Sequence, residues 1–180
     1  MRLDAMAVRI PPVKGHPNRV DFEGVLTLVD AASDRAPAGA KGHKVLLTRA
    51  AAEQALPSLL GMGVDYRPGW DGHDAKRKIG LITEADVVGR RLTVKGYLYA
   101  RDFPEETETI RASSPEAMGM SYELADAQVA DMREEIWRLT RATFTGAAIL
   151  LREKAAYRDT SFRVRRGVKA PLGRVAAAGR

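Results

Sequence analysis

Through the middle of the chain, apolar and polar residues alternate with a period of two. Leu92, Val94, Gly96 and Leu98 fall on one side of such a segment, and Thr93, Lys95, Tyr97 and Tyr99 on the other. The same period recurs in Met118, Met120, Tyr122 and Leu124, which places Ser121 on the opposite side with Gly119 and Glu123. Phe22 to Asp30 is a further strand, preceded by an irregular lead-in (residues 1–20) that holds Pro11, Pro12, Gly15, Pro17 and Asn18. A small-residue loop from Ala31 to Gly42 leads to a short strand at Val45-Leu46-Leu47. Thr48 then caps an alanine-rich helix that Pro57 and Gly61 limit. A loop rich in Asp, Pro, Trp and Gly follows, carrying His73. Next, Ile79–Val88 and Leu92–Ala100 form a hairpin closed at Gly89-Arg90. Asp102 is positioned to cap a short helix with Pro104 in its first turn and Glu105, Glu106 and Glu108 near its positive end. Glu135 to Thr145 predicts one more strand, and Ala147 to Tyr157 a closing helix. Some six strands with two or three helices, not alternating in βαβ order, predict an α+β fold. The expected form is a β-barrel-like antiparallel sheet wrapped by a few helices.

Composition narrows the class. A chain of 180 residues, 45% hydrophobic and 29% charged, suits one folded domain (residues 1–157). No apolar run is long enough to cross a bilayer, and the first residues lack the pattern of a secretory signal, so no membrane role is expected. The absence of cysteine excludes disulfides, thiol nucleophiles and thiolate metal sites and fits a cytoplasmic setting. Charge is uneven. Residues 158–180 hold seven basic groups against one acid, a net of +6 that equals the formal charge of the whole chain. This segment predicts a basic, disordered tail able to contact nucleic acid or an acidic protein surface.

Candidate chemistry centres on His73 and Ser121. Of the three histidines, His16 and His43 lie in loops that look solvent-facing. His73 sits in Trp70-Asp71-Gly72-His73-Asp74, just ahead of a strand, where a base can be held rigidly. Ser121, in Met118-Gly119-Met120-Ser121-Tyr122-Glu123, is the matching nucleophile, with Gly119 leaving room on its own face for a substrate. A metal held by His73, Asp71 and Asp74 does not match helical His-Glu-x-x-His spacing, so neither metal nor cofactor is expected. Gly-Met-Ser-Tyr-Glu is not the Gly-x-Ser-x-Gly elbow of the α/β-hydrolases, and Gly61-Met62-Gly63 lacks the lysine and third glycine of a phosphate loop. Trp70 and Trp137 are expected in the core.

His73-Asp74 ahead of Ile79-Gly80, then the Leu92–Leu98 strand with Gly96, then Gly119-Met120-Ser121-Tyr122, together resemble the prohead (capsid maturation) serine proteases of tailed phages. The resemblance runs from about Phe22 to Thr160. It implies a fold similar to that of the herpesvirus assembly protease and an endopeptidase that removes scaffold, and often part of itself, before DNA packaging. It also implies scaffold and major capsid proteins as partners, and the immature capsid in the host cytoplasm as the setting. Carried onto this sequence, Ser121 is the nucleophile, His73 the general base, and Thr143 falls at the third position, where the family often has an acid. Glu123 and Asp131 are alternatives for that place, and Arg138 or Arg141 for an oxyanion contact. The rival expectation is a catalytically inactive scaffold or assembly factor with the same fold.

Overall fold

The computed structural model describes residues 8–9 and 16–165. Among them, nine strands join in one mixed sheet, with two helices packed on it. The strands are β1 (Val8–Arg9), β2 (Arg19–Leu28), β3 (Lys44–Leu47), β4 (Gly63–Asp65), β5 (Lys78–Val88), β6 (Arg91–Tyr99), β7 (Met118–Val129), β8 (Ile136–Leu151) and β9 (Ser161–Val164). The helices are α1 (Arg49–Ala55) and α2 (Pro104–Ala112). The predicted α+β class stands.

Alternation builds the central meander. β5 and β6 pair antiparallel about Gly89, whose φ of 59° makes the tight turn, and β6 pairs antiparallel with β2. Leu92, Val94 and Leu98 are fully buried on one face of β6, as their spacing predicts. Met118 and Met120 do the same on β7, joining Phe22, Leu26, Ile82 and Ile149 in the core.

The sheet is not purely antiparallel, contrary to the sequence expectation. β3 and β4 both run parallel to β8, one against each half of that long strand. The reason is the connection between them. α1 and a following 3-10 turn (Leu56–Leu59) return the chain to its starting end, so β4 enters in the same direction as β3, as parallel strands require. α1 begins as predicted, with the Ala51 N–H donating to the Thr48 hydroxyl at 3.2 Å. α2 does not. Its N-cap is Phe103, and the Asp102 carboxylate instead accepts from the Asn18 amide at 2.8 Å.

Two further boundaries differ. The expected helix at Ala147–Tyr157 is mostly strand, because β8 continues to Leu151 with ladder partners on β7 throughout and on β4 at Ala147-Ala148. Neighbouring strands on both sides override the helix propensity of alanine and leucine. Residues 158–165, expected to be the start of a disordered tail, are ordered. β9 pairs with β2, and Arg163 and Arg165 clasp Glu23 at 2.8 and 3.0 Å. Their guanidinium groups hold the Glu23 carboxyl below its ordinary range. Residues 166–180 lie outside the described residues. No helix among the described residues is long and apolar enough to cross a membrane.

Candidate active site

The site grows from one row of the sheet. β8 runs between β4 and β7, and Ala148 on β8 is the ladder partner of both Asp65 on β4 and Ser121 on β7. Residues opposite one another in a ladder project to the same face. With strands about 4.8 Å apart, Asp65 and Ser121 stand roughly 10 Å apart at their Cα atoms, a gap that an imidazole between two polar side chains can span. The residue beneath that gap, Ala148, is fully buried and carries only a methyl group.

His73 fills the gap. Its Nε2 lies 3.1 Å from the Ser121 hydroxyl oxygen, and its Nδ1 lies 3.5 Å from Asp65 Oδ1. The second approach does not make a hydrogen bond, and Nδ1 has no hydrogen-bond partner among the described residues. The His73 side chain is 18% exposed and that of Asp65 1%. The order is therefore buried carboxylate, largely covered imidazole, and a hydroxyl that lines the cavity.

A clamped loop delivers the histidine. After β4 the chain turns at Gly69 (φ 90°) and Trp70 (φ 55°), and the Trp70 carbonyl accepts from the Leu151 N–H at 2.7 Å, tying the loop to the end of β8. Trp70 packs its ring against Tyr66 at 4.9 Å, on the edge of the core, and the Tyr66 hydroxyl donates to Glu106. Arg67 pairs with Asp71 at 2.7 Å. Past His73, the Asp74 N–H donates to Asp65 Oδ1 at 3.2 Å, while the Asp74 carboxylate accepts from the Lys76 N–H and from Arg77. Asp71 and Asp74 are thus structural partners of the loop.

Asp65 is well supplied. Oδ1 takes the Asp74 N–H and faces His73, and Oδ2 takes the Lys78 ammonium at 2.8 Å. Burial pushes this carboxyl up, but the nearby His73 ring and the Lys78 ammonium outweigh it and hold the group below its ordinary range. A carboxylate ionised and fixed behind Nδ1 selects the tautomer with its proton on Nδ1, leaving the Nε2 lone pair for the Ser121 proton.

The structure therefore places Asp65, not Thr143, beside His73. Thr143 opposes Ala125, five places along β8 from Ala148, or roughly 16 Å along the strand. Arg138 and Arg141 lie farther along β8 from Ala148 in the same direction and do not reach Ser121. Asp131 is bound to Arg133 in the β7–β8 turn. Glu123 is closer. Its Oε1 lies 4.0 Å from Nδ1, with its side chain 55% exposed. Gly119 also changes role, since it opens no space for substrate. A Cβ there would meet the Thr160 hydroxyl at 2.7 Å and the Arg152 backbone at 3.1 Å, so its missing side chain lets the 150s segment close over β7.

Asp65 went unnoticed in the sequence because β4 is three residues long and begins at the last residue of Gly61-Met62-Gly63, a stretch that reads as a loop. The available signal was Val64-Asp65, an apolar residue and an acid ahead of an aromatic, which acquires meaning only once β4 is known to pair. His73 and Ser121 open into a cavity of about 1150 Å³, walled by Glu123, Leu124, Leu139, Trp137 and the Arg35–Lys41 segment. Comparison with family models, with curated proteins and with solved structures found no match for this chain.

Proposed function

We propose that this chain is a serine endopeptidase of phage or prophage capsid maturation, cleaving scaffold or capsid-protein segments and its own basic tail. The observation that carries the peptidase reading is the row Asp65–His73–Ser121, with separations of 3.5 and 3.1 Å, opening into a cavity of peptide-binding size. The capsid setting rests on the resemblance of His73-Asp74, Ile79-Gly80 and Gly119-Met120-Ser121-Tyr122 to the prohead proteases. Its finer fold, a curled sheet similar to the herpesvirus assembly protease, is supported by the packing of β7 on β9 and β2. There the Met120 N–H donates to the Thr160 hydroxyl at 3.3 Å, although no ladder joins β7 to β9 among the described residues.

In this mechanism His73 Nε2 takes the Ser121 proton as Oγ bonds to the carbonyl carbon of the scissile peptide. The imidazolium so formed faces the Asp65 carboxylate. It returns the proton to the departing amine nitrogen as the C–N bond breaks, leaving an ester on Ser121. Water then attacks that ester, again losing its proton to Nε2, and Ser121 regains its hydrogen as the acid product leaves.

The test is intact mass spectrometry of the protein co-expressed with its neighbouring capsid and scaffold proteins, comparing wild type with Ser121→Ala. Fragments that vanish in the variant support the reading, and their ends give the cleavage specificity. Identical masses in both would overturn it in favour of a non-enzymatic assembly factor.

A further inference from the structure

The mechanism above uses Asp65 but leaves Lys78, the residue that holds it, without a role. Lys78 is the first residue of β5 and the ladder partner of Asp65, at an irregularity in the β4–β5 pairing between Val64 and Asp65. Its ammonium lies 2.8 Å from Asp65 Oδ2, on the opposite side of the carboxylate from His73. Its aliphatic stem crosses Gly63. A Cβ at that glycine would stand 2.9 Å from Lys78 Cδ and 3.2 Å from Cγ, so the absent side chain is the channel through which the lysine reaches the acid. Two independent features of the fold, a ladder irregularity and a glycine, thus converge on one ion pair.

We infer that Lys78 is a positioning residue of the active site: it fixes which Asp65 oxygen faces His73 and sets the pH range in which the serine is activated. The inference rests on the peptidase reading for its consequence in catalysis, but its electrostatics stand apart from that reading. A lysine cation bound to one oxygen takes part of the carboxylate's field away from the imidazolium that forms on the other side. It also keeps the carboxylate ionised and oriented despite burial. Both effects act through Asp65, since Lys78 does not line the cavity into which Ser121 opens.

The other charges around His73 are few. Glu123 on β7 is 4.0 Å from Nδ1 and open to solvent, while Asp74 and the Arg67–Asp71 pair belong to its own loop and are bonded elsewhere. Lys154 lines the cavity wall. None of these neutralises Asp65, so removal of Lys78 leaves the full carboxylate charge facing the imidazole.

The experiment compares wild type, Lys78→Met, Lys78→Arg and Gly63→Ala. One readout is the pH dependence of Ser121 labelling by a fluorophosphonate. The other is the NMR titration of the His73 ring proton, which needs no catalysis. Lys78→Met keeps the stem and deletes the charge. It is expected to move both the acid limb of labelling and the ring-proton midpoint to higher pH, by roughly half a unit or more. Lys78→Arg should restore the wild-type profile. Gly63→Ala, by displacing the stem, should move it in the same direction as the methionine variant but less. An unmoved ring-proton midpoint in folded Lys78→Met protein overturns the inference. Wild-type protein that is never labelled would overturn the peptidase reading instead, and the NMR titration would still decide the lysine.

Discussion

The two flanks of β8 carry opposite halves of the site. On the β4 flank, Asp65 is sealed at 1% exposure, bonded by a backbone N–H and a lysine, and faces His73 at 3.5 Å. On the β7 flank, Ser121 and Glu123 look into the cavity, and Glu123 is more than half exposed at 55%. Both acids lie within 4.0 Å of His73 Nδ1, but only one is in a place where charge is felt strongly. A carboxylate held dry and pre-oriented stabilises a developing imidazolium without reorganising, whereas water screens the same group at the surface. The difference teaches that proximity alone does not choose the third member of the site; burial and bonding do.

Breaking the dry flank should cost most. Asp65→Asn is expected to lower the rate of Ser121 labelling by about 10²–10⁴-fold, because the amide no longer selects the productive tautomer or stabilises the imidazolium. It should also cost about 1–3 kcal/mol of stability in urea unfolding, less than a fully buried ion pair since the Lys78 side chain is 40% exposed. A variant with wild-type labelling would return the third position to Glu123.

Filling the space between the flanks comes next. Ala148→Leu places a branched side chain in the row that His73 spans, and should reduce labelling by at least roughly 10-fold while β8 keeps its ladders. A crystal structure of the variant with His73 undisplaced would remove Ala148 from the argument.

Acid sharpens the contrast by stability. The folded Asp65 carboxyl is held below its ordinary value of 3.8, so its contribution is fully present above that pH and is lost as pH falls through the lower folded value. The stability gap between wild type and Asp65→Asn should therefore be constant near neutrality and close in strong acid, as denaturation midpoints across pH will show.

The wet flank should yield least. Glu123→Gln is expected to change labelling by less than about threefold, as befits a screened charge 4.0 Å away. Thr143→Val, far along β8, should leave the rate unchanged; a loss greater than that of Glu123→Gln would contradict the register that opposes Thr143 to Ala125.

How far the site was legible follows the length of the elements that carry it. Ser121 and His73 could be named from sequence because one sits in a long alternating strand and the other in a glycine- and aromatic-marked loop ahead of another. Thr143 was the natural choice for the third position by alignment with the resembled family, and the structure places it away from His73 because that choice depended on register. Ser121 opposes Ala148, five places along β8 from Thr143, and no local pattern announces that pairing. Trp137 packs in the core at 8% exposure and stacks on His43, so that histidine is held by an aromatic neighbour the sequence did not connect to it.

By itself the sequence determined the strands with a clear two-residue period, the α1 start at Thr48 and the hairpin at Gly89, since each depends on contacts among near neighbours, and it singled out His73 and Ser121 as residues to look for together. Only the tertiary structure decided that β8 lies between β4 and β7, that Asp65 and Ser121 share Ala148 as partner, and that the chain after Thr160 returns as β9 to give Arg163 and Arg165 to Glu23. The physical reason is that strand neighbours are chosen by hydrogen bonds and burial between segments far apart in the chain, and a three-residue strand such as β4 has no identity until its neighbours exist.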